Sequence, residues 1–592
     1  MKRAEQKVEN TWKMEDMFAS DEIWEKDFDR ASNMVKKYAD FKGKVSESKE
    51  VLIDYFKFND EINLLAERLY VYSNQRYHED MANAKYQSYS GKAQKLVVEI
   101  GSAGSFFEPE ILEMDEGVLK EWMKDETFAD YRRYISEILR GKEHTLDKKT
   151  EEILAKSRRM ANAADNIYAM YNGADIDFPT VTDKDGEKIK ITHGNFVPIL
   201  NGRDRELRKN AFKALYDTYG KMKNTIAATF NANVEQACFY ADVRNYSSTR
   251  AMYLDGSNVP ESVYDNLIEV VHENLDLMYR YVALRKKALG VDELHMYDVY
   301  APIAKAPQEK ISFERAKEMV KEGLAPMGQE YLDKLQEGFD NRWIDIYENE
   351  GKRSGAYSWG AYGTHPYVLL NYQGTLDHVF TLAHEMGHAL HSYYSDANQP
   401  YINAGYKIFV AEVASTCNES LLIHHLLKKT NDEETKAYLI NHFLEQFKGT
   451  LYRQTMFAEF EKITHKMAEE GETLTSDVLC KVYYDLNKQY FGDEMVLDEE
   501  IALEWARIPH FYNPFYVYQY ATGISAAIAL SRKIMSEGEK GVADYMKFLT
   551  GGGSKDPIEL LKLAGVDMAS KEPIRSALQL FKELLDQMEE LV

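Results

Sequence analysis

The chain is poor in cysteine. Its 592 residues hold three, Cys238, Cys417 and Cys480. They lie far apart and form no C-x-x-C pair, so a disulfide framework is not expected and a reducing, cytoplasmic setting is. Long apolar runs are missing too. No stretch approaches the roughly 18 apolar residues that a membrane span needs. The opening MKRAEQKVENTWKMEDMF is too polar for a secretory signal. Positive charge is in deficit: Lys and Arg number 73 against 97 Asp and Glu, a net charge of −24. A phosphate-binding surface wants the opposite balance, so nucleic acid is not expected as a partner. No repeat of fixed period and no low-complexity segment stands out. Oligomeric state is not readable from these features.

What is present is helical texture. From Trp12 to about Gly141 apolar residues fall at helical spacing, as in Leu52, Tyr55, Phe56, then Ile62, Leu65, Leu69, Tyr72. Glycine and proline are scarce there, which predicts long amphipathic helices packed as hairpins. The texture changes at Asn172. Residues 174–178 and 188–192 alternate with period two around Asp185-Gly186, a favoured turn, and predict one small β-hairpin. Helix is expected again from Arg205 to about Gly290 and from Ser312 to about Gly338. Residues 351–374 are glycine-rich and end in a β-rich piece, Tyr367–Tyr372. That piece is expected to be either an edge that pairs with an extended peptide or an ordinary strand. A boundary near residue 200 divides the chain into an N-terminal helical lobe, 1–200, and a second region, 201–592.

The most chemically specific stretch is His384-Glu385-Met386-Gly387-His388. This H-E-x-x-H pattern is a known zinc-protease signature. On a helix, positions four apart share a face, so His384 and His388 can offer imidazoles to one ion. Glu385 sits beside the first of them, off the ligand axis, where it can reach a water. Thr375 or Asp377 is expected to cap this helix, and its apolar neighbours on several sides predict burial. A catalytic zinc wants a third protein ligand and one open position. Glu412 is well placed for it, being an acid in the otherwise apolar run Ile408–Val413. A lone buried carboxylate is costly, and ligation would remove the anomaly. Glu419, seven residues on, shares the face of Glu412 and could orient a ligand. His391 reads as structural or supporting.

His384-Glu385-Met386-Gly387-His388 followed by Glu412 resembles the thimet oligopeptidase (M3) family of zinc metallopeptidases, and more narrowly its oligoendopeptidase F branch. Tyr297-Asp298-Val299-Tyr300, Gly363-Thr364-His365-Pro366 and Phe548-Leu549-Thr550-Gly551-Gly552-Gly553 add to the likeness, which covers nearly the whole chain. The resemblance implies a mainly α, two-lobed helical protein with a deep central channel and a small β element beside the zinc helix. It implies one Zn²⁺ on His384, His388 and Glu412, Glu385 as general base, short peptides as substrates, and His365 among the substrate-binding residues.

Attack on a peptide carbonyl builds negative charge, so hydrogen-bond donors are expected opposite the metal. The stretch from Arg507 to Gly523 supplies His510 and four tyrosines: Tyr512, Tyr516, Tyr518 and Tyr520. Here the family carries a His followed by several Tyr, although the loop is shorter than in the thimet branch. His510 is therefore expected as a donor. Tyr518 is favoured as the main phenol, with Tyr512, Tyr516 and Tyr520 contacting substrate. Asn513 and Pro514 are expected to start the helix that follows. Gly551-Gly552-Gly553 lacks the order of a phosphate loop and reads as a flexible loop at a helix start. The resulting expectation is a zinc endopeptidase acting on short peptides in the cytoplasm. A helical zinc carboxypeptidase and an inactive peptide-binding scaffold are the rivals.

Overall fold

The computed structural model describes residues 1–307 and 309–592. Helix accounts for 71% of the chain and strand for 3%, so the fold is mainly α. Two compact units are present, and each is assembled from three stretches. One combines Met1–Glu143, Glu309–His425 and Leu530–Val566; the other combines His144–Gln308, Leu426–Ala529 and Asp567–Val592. Compactness thus groups the chain differently from a single cut near 200. Among the described residues, no helix is long and apolar enough to cross a membrane.

The first unit contains a long helical hairpin, Lys49–Glu79 and Ala84–Gly104. Ser48 caps the first helix by accepting the Val51 N–H, and Asn83 caps the second. Leu52, Phe56, Ile62 and Leu69 recur at helical spacing and are fully buried in an aromatic-rich core. Two residues of a short sheet, Tyr367 and Leu369, join that core. The sheet holds Ile344–Asp345, Tyr367–Leu369 and Tyr357–Trp359 in that spatial order, parallel then antiparallel. Tyr367–Leu369 is therefore the central strand, paired on both sides, and cannot be a peptide-pairing edge. Tyr357–Trp359 is an outer strand.

The expected flexible loop at Gly551–Gly553 is instead a packing device. A Cβ on Gly552 would lie 2.5 Å from Ser395 Oγ and 2.6 Å from the Asn403 carbonyl oxygen. The Gly553 N–H donates to that same carbonyl at 2.7 Å. Only glycine lets this backbone close so tightly on the C-terminal end of the helix Leu376–Asn398.

The second unit carries the predicted hairpin, displaced from its expected first arm. Thr180–Thr182 pairs with Lys188–Lys190, while residues 171–175 form a helical turn. Pro179 has no N–H to give a ladder, so the strand starts after it. Gly186 takes the left-handed turn position, with φ of 87°. Asp298, from the Tyr297–Tyr300 motif, is completely buried and bound by Arg205 and Arg208. The helix expected at Asn513-Pro514 begins only at Tyr518. Phe515 has φ of 56°, a left-handed value no helix continues through.

Candidate metal centre

The H-E-x-x-H stretch lies in the helix Leu376–Asn398, hereafter the motif helix. Thr375 caps it by accepting the His378 N–H. Val379, Leu382, Ala383, Met386, Ala389 and Leu390 are all fully buried, which fixes its rotation. His384 and His388 then emerge on one stripe. A second helix, Ala411–Lys429, carries Glu412 in its first turn and Glu419 two turns on. The two helices touch at backbone distance. A Cβ on Gly387 would lie 2.6 Å from Ser415 Cα and 2.9 Å from the Ala414 carbonyl oxygen. Asn418 locks the pair by donating from Nδ2 to the Ala383 carbonyl at 3.2 Å.

Three donor atoms converge at this junction. His384 Nε2 and His388 Nε2 are 3.2 Å apart, and Glu412 Oε2 lies 3.3 Å from the first and 3.4 Å from the second. A tetrahedral ion with bonds of about 2.0–2.1 Å spaces its ligand atoms about 3.3–3.4 Å apart. The triangle has the dimensions of one face of such a tetrahedron, so the donor set fits a metal ion. It is the one such His/Cys/Asp/Glu group among the described residues. Glu412 is half-buried rather than buried, with 42% of its side chain exposed.

The electrostatics favour a cation there. Burial opposes charge on His384, but the Glu419 and Glu412 carboxylates outweigh it and raise its pKa well above the usual range. Burial alone would raise the Glu412 pKa, yet the two imidazoles hold it well below the ordinary carboxylate range. A field that strongly favours a proton on the imidazole also favours a dication. Glu419 Oε1 is hydrogen-bonded to His384 Nδ1. In the neutral ring that bond puts the proton on Nδ1 and turns the Nε2 lone pair toward the triangle.

Glu385 is 7% exposed, and its Oε2 has no hydrogen-bond partner. Burial raises its pKa, with His384 and His388 pulling the other way. His391, three residues past His388, is stacked on Tyr406 with ring centroids 3.9 Å apart. Burial pushes its pKa down to about 3, so it packs as a neutral ring. Ser392, one turn beyond His388, lines a cavity of about 810 Å³ within the first unit. The outer strand residues Ser358 and Trp359 form another wall of it.

His365 has a different setting. Its ring lies flat on Trp343 at 5.4 Å, and its Nδ1 contacts the Pro366 carbonyl at 2.8 Å. It also packs on Tyr367 of the central strand, with ring centroids 4.3 Å apart.

The second unit sorts the expected donors. His510 is exposed, and its ring lies 6.1 Å from Tyr520 and 6.4 Å from Tyr516. Tyr516 and Tyr520 lie 5.5 Å apart. Tyr518, two residues from each, faces away. It is 2% exposed and packs on Tyr264 at 5.0 Å. Tyr512 also turns inward, stacking on Tyr168 at 4.2 Å and sharing a hydrogen bond with Thr229. The favoured phenol, Tyr518, is thus a core residue, and weight shifts to Tyr516 and Tyr520. Sequence reading missed Glu504, which anchors the approach to His510. It is buried, bonded at 2.7 Å to Arg453 and 2.8 Å to Arg507. Its one signal was an acid in a largely apolar run.

Residues 199–580 match Peptidase family M3, and residues 110–178 match Oligopeptidase F. Oligopeptidase PepF of Bacillus subtilis (strain 168) is 48% identical over 591 residues, covering 100% of this chain and 88% of that one. Group B oligopeptidase PepB of Streptococcus agalactiae is 38% identical, covering 98% and 97%. The crystal structure of oligoendopeptidase-F from Enterococcus faecium is 36% identical, with a TM-score of 0.76 over 96% of this chain and 99% of that one. The chain belongs to peptidase family M3, in its oligoendopeptidase F branch, and is a metalloendopeptidase.

Proposed function

We propose that the protein is a zinc-dependent endopeptidase that cleaves bonds inside short peptides, with Glu385 as general base. The observation that carries this reading is the donor triangle of His384, His388 and Glu412, with the unpartnered Glu385 carboxylate beside it. Two imidazoles and one carboxylate form a ligand set suited to catalytic zinc. Bound there, zinc would polarise the scissile carbonyl and lower the pKa of a water. Glu385 accepts the proton of the attacking water and passes it to the leaving amine. Burial raises its pKa, which makes it a stronger proton acceptor than an exposed carboxylate. Glu419 fixes the His384 ring. On the family likeness, we assign His510, with Tyr516 and Tyr520, as hydrogen-bond donors for the negative charge that grows on the carbonyl oxygen. The free thiols of Cys238, Cys417 and Cys480 fit a reducing compartment, and we place the reaction in the cytoplasm.

The test combines metal removal with a peptide blocked at both ends. A chelator is expected to abolish cleavage, and stoichiometric Zn²⁺ to restore it. Internal cleavage of the blocked peptide separates an endopeptidase from a carboxypeptidase, which needs a free terminus. Failure of Zn²⁺ to restore activity, or resistance of the blocked peptide, sinks the reading. Glu419→Ala is expected to weaken zinc affinity by about 10–100-fold, the usual cost of losing a ligand's outer partner. Competition against a chromogenic chelator measures this, and unchanged affinity would remove Glu419 from the site.

A further inference from the structure

Glu461 sits within the helix Arg453–Glu469 of the second unit and is completely buried. Its Oε1 accepts the backbone N–H of Phe515 at 2.9 Å, and its Oε2 has no hydrogen-bond partner. Burial drives its pKa well above the carboxylate range, against the opposing pull of that N–H. Stability alone does not account for this group, because an apolar side chain of the same size avoids the cost of desolvating a carboxyl.

Its partner is no ordinary residue. Phe515 is held at φ of 56°, a left-handed conformation that non-glycine residues rarely adopt. Such strain persists only where neighbours impose it. Here one helix holds Phe515 twice. Glu461 takes the main-chain N–H, and His465, one turn on, packs against the ring at 4.6 Å. Tyr264 closes on the ring from another side at 5.8 Å and also contacts Tyr518. The reversal at Phe515 separates His510 from Tyr516 and Tyr520, and it brings these three rings into one cluster.

We propose that Glu461 is a positioning residue, whose carboxyl fixes the strained Phe515 and thereby sets where His510, Tyr516 and Tyr520 stand during the reaction. This rests on the reading of those three side chains as transition-state donors. A merely structural Glu461 would change stability but not turnover per folded molecule. A positioning Glu461 changes kcat and leaves KM nearly alone.

The experiment uses the full zinc-loaded chain and a blocked fluorogenic peptide. Glu461→Gln keeps the shape and an oxygen for the Phe515 N–H. Glu461→Met fills similar space without an acceptor. Misplacement of catalytic groups by about 1 Å can cost about 100-fold, so Met is expected to lower kcat by about 10–100-fold. KM should stay within about threefold, and Gln should keep kcat within about threefold of the parent. Parental kcat per folded molecule in Glu461→Met overturns the proposal, as does an equal loss in Glu461→Gln. Should Glu461→Met fail to fold, Phe515→Gly decides. It keeps the N–H and relieves the strain but frees the turn, so a tenfold loss supports the proposal and parental kcat overturns it. His510→Ala separates the two layers. If it retains full activity, the reading of the loop fails; if it is inactive while Glu461→Met is not, only the positioning role fails.

Discussion

Glu385→Gln yields a folded, metal-loaded protein whose kcat is lower by about 10²–10⁴-fold, the usual contribution of a general base. The prediction follows from where the side chain stands. Glu385 is not a corner of the donor triangle, so its loss leaves all three ligands in place. Glutamine reproduces its size, so the motif helix does not unpack. What disappears is a proton acceptor, Oε2, that has no other partner. Burial has already raised the pKa of this carboxyl, and two neighbouring imidazoles limit the rise. That balance suits a group that must accept a proton and then release it. Steady-state kinetics with metal analysis on the same sample checks the prediction. A variant keeping more than about a tenth of the parental kcat removes Glu385 from the proton path. A variant that loses its metal makes Glu385 a ligand or its support instead.

The donor triangle was readable in the sequence because its logic is local. His384 and His388 need only helical spacing, and the capping of the motif helix by Thr375 is a short-range event. Glu412 stood out as an acid among apolar neighbours, and Glu419 as its helical echo. The sheet was less legible. Its strands are two or three residues long, too short to show a period, and Tyr367–Leu369 is central only because the distant Ile344–Asp345 adds on its other side. The tyrosines failed for a related reason. Which phenol turns inward is decided by Tyr264, some 250 residues away in the chain, and by a left-handed Phe515 that no propensity foretells. Interleaved units are likewise invisible to any reading that moves along the chain, since each gathers three separate stretches.

Gly387→Ala, the smallest change available in the motif, is expected to damage the centre without touching a ligand. Two effects compete. Alanine in a helix interior is favoured over glycine by about 1 kcal/mol. Against this, the new Cβ would stand 2.6 Å from Ser415 Cα and within 3 Å of two further backbone atoms. Backbone cannot rotate aside as a side chain can, so the helices must part by about 1 Å, and such overpacking typically costs about 1–3 kcal/mol. The clash therefore outweighs the propensity. Its consequence is chemical, because Ser415 lies one turn from Glu412, and moving that helix carries the carboxylate away from the two imidazoles. Zinc affinity is expected to fall by at least about tenfold, the scale of a loosened ligand shell, and kcat with it. Gly91 provides the control, as it lies in the Ala84–Gly104 helix with nothing within 4 Å of an added Cβ. There alanine gains its propensity unopposed, and Gly91→Ala should raise the melting temperature slightly with zinc affinity unchanged. Thermal melts and zinc competition on both variants check the pair. If Gly387→Ala melts higher and binds zinc as the parent does, the two helices have room that their backbone separation denies, and the close packing is not what sets the triangle.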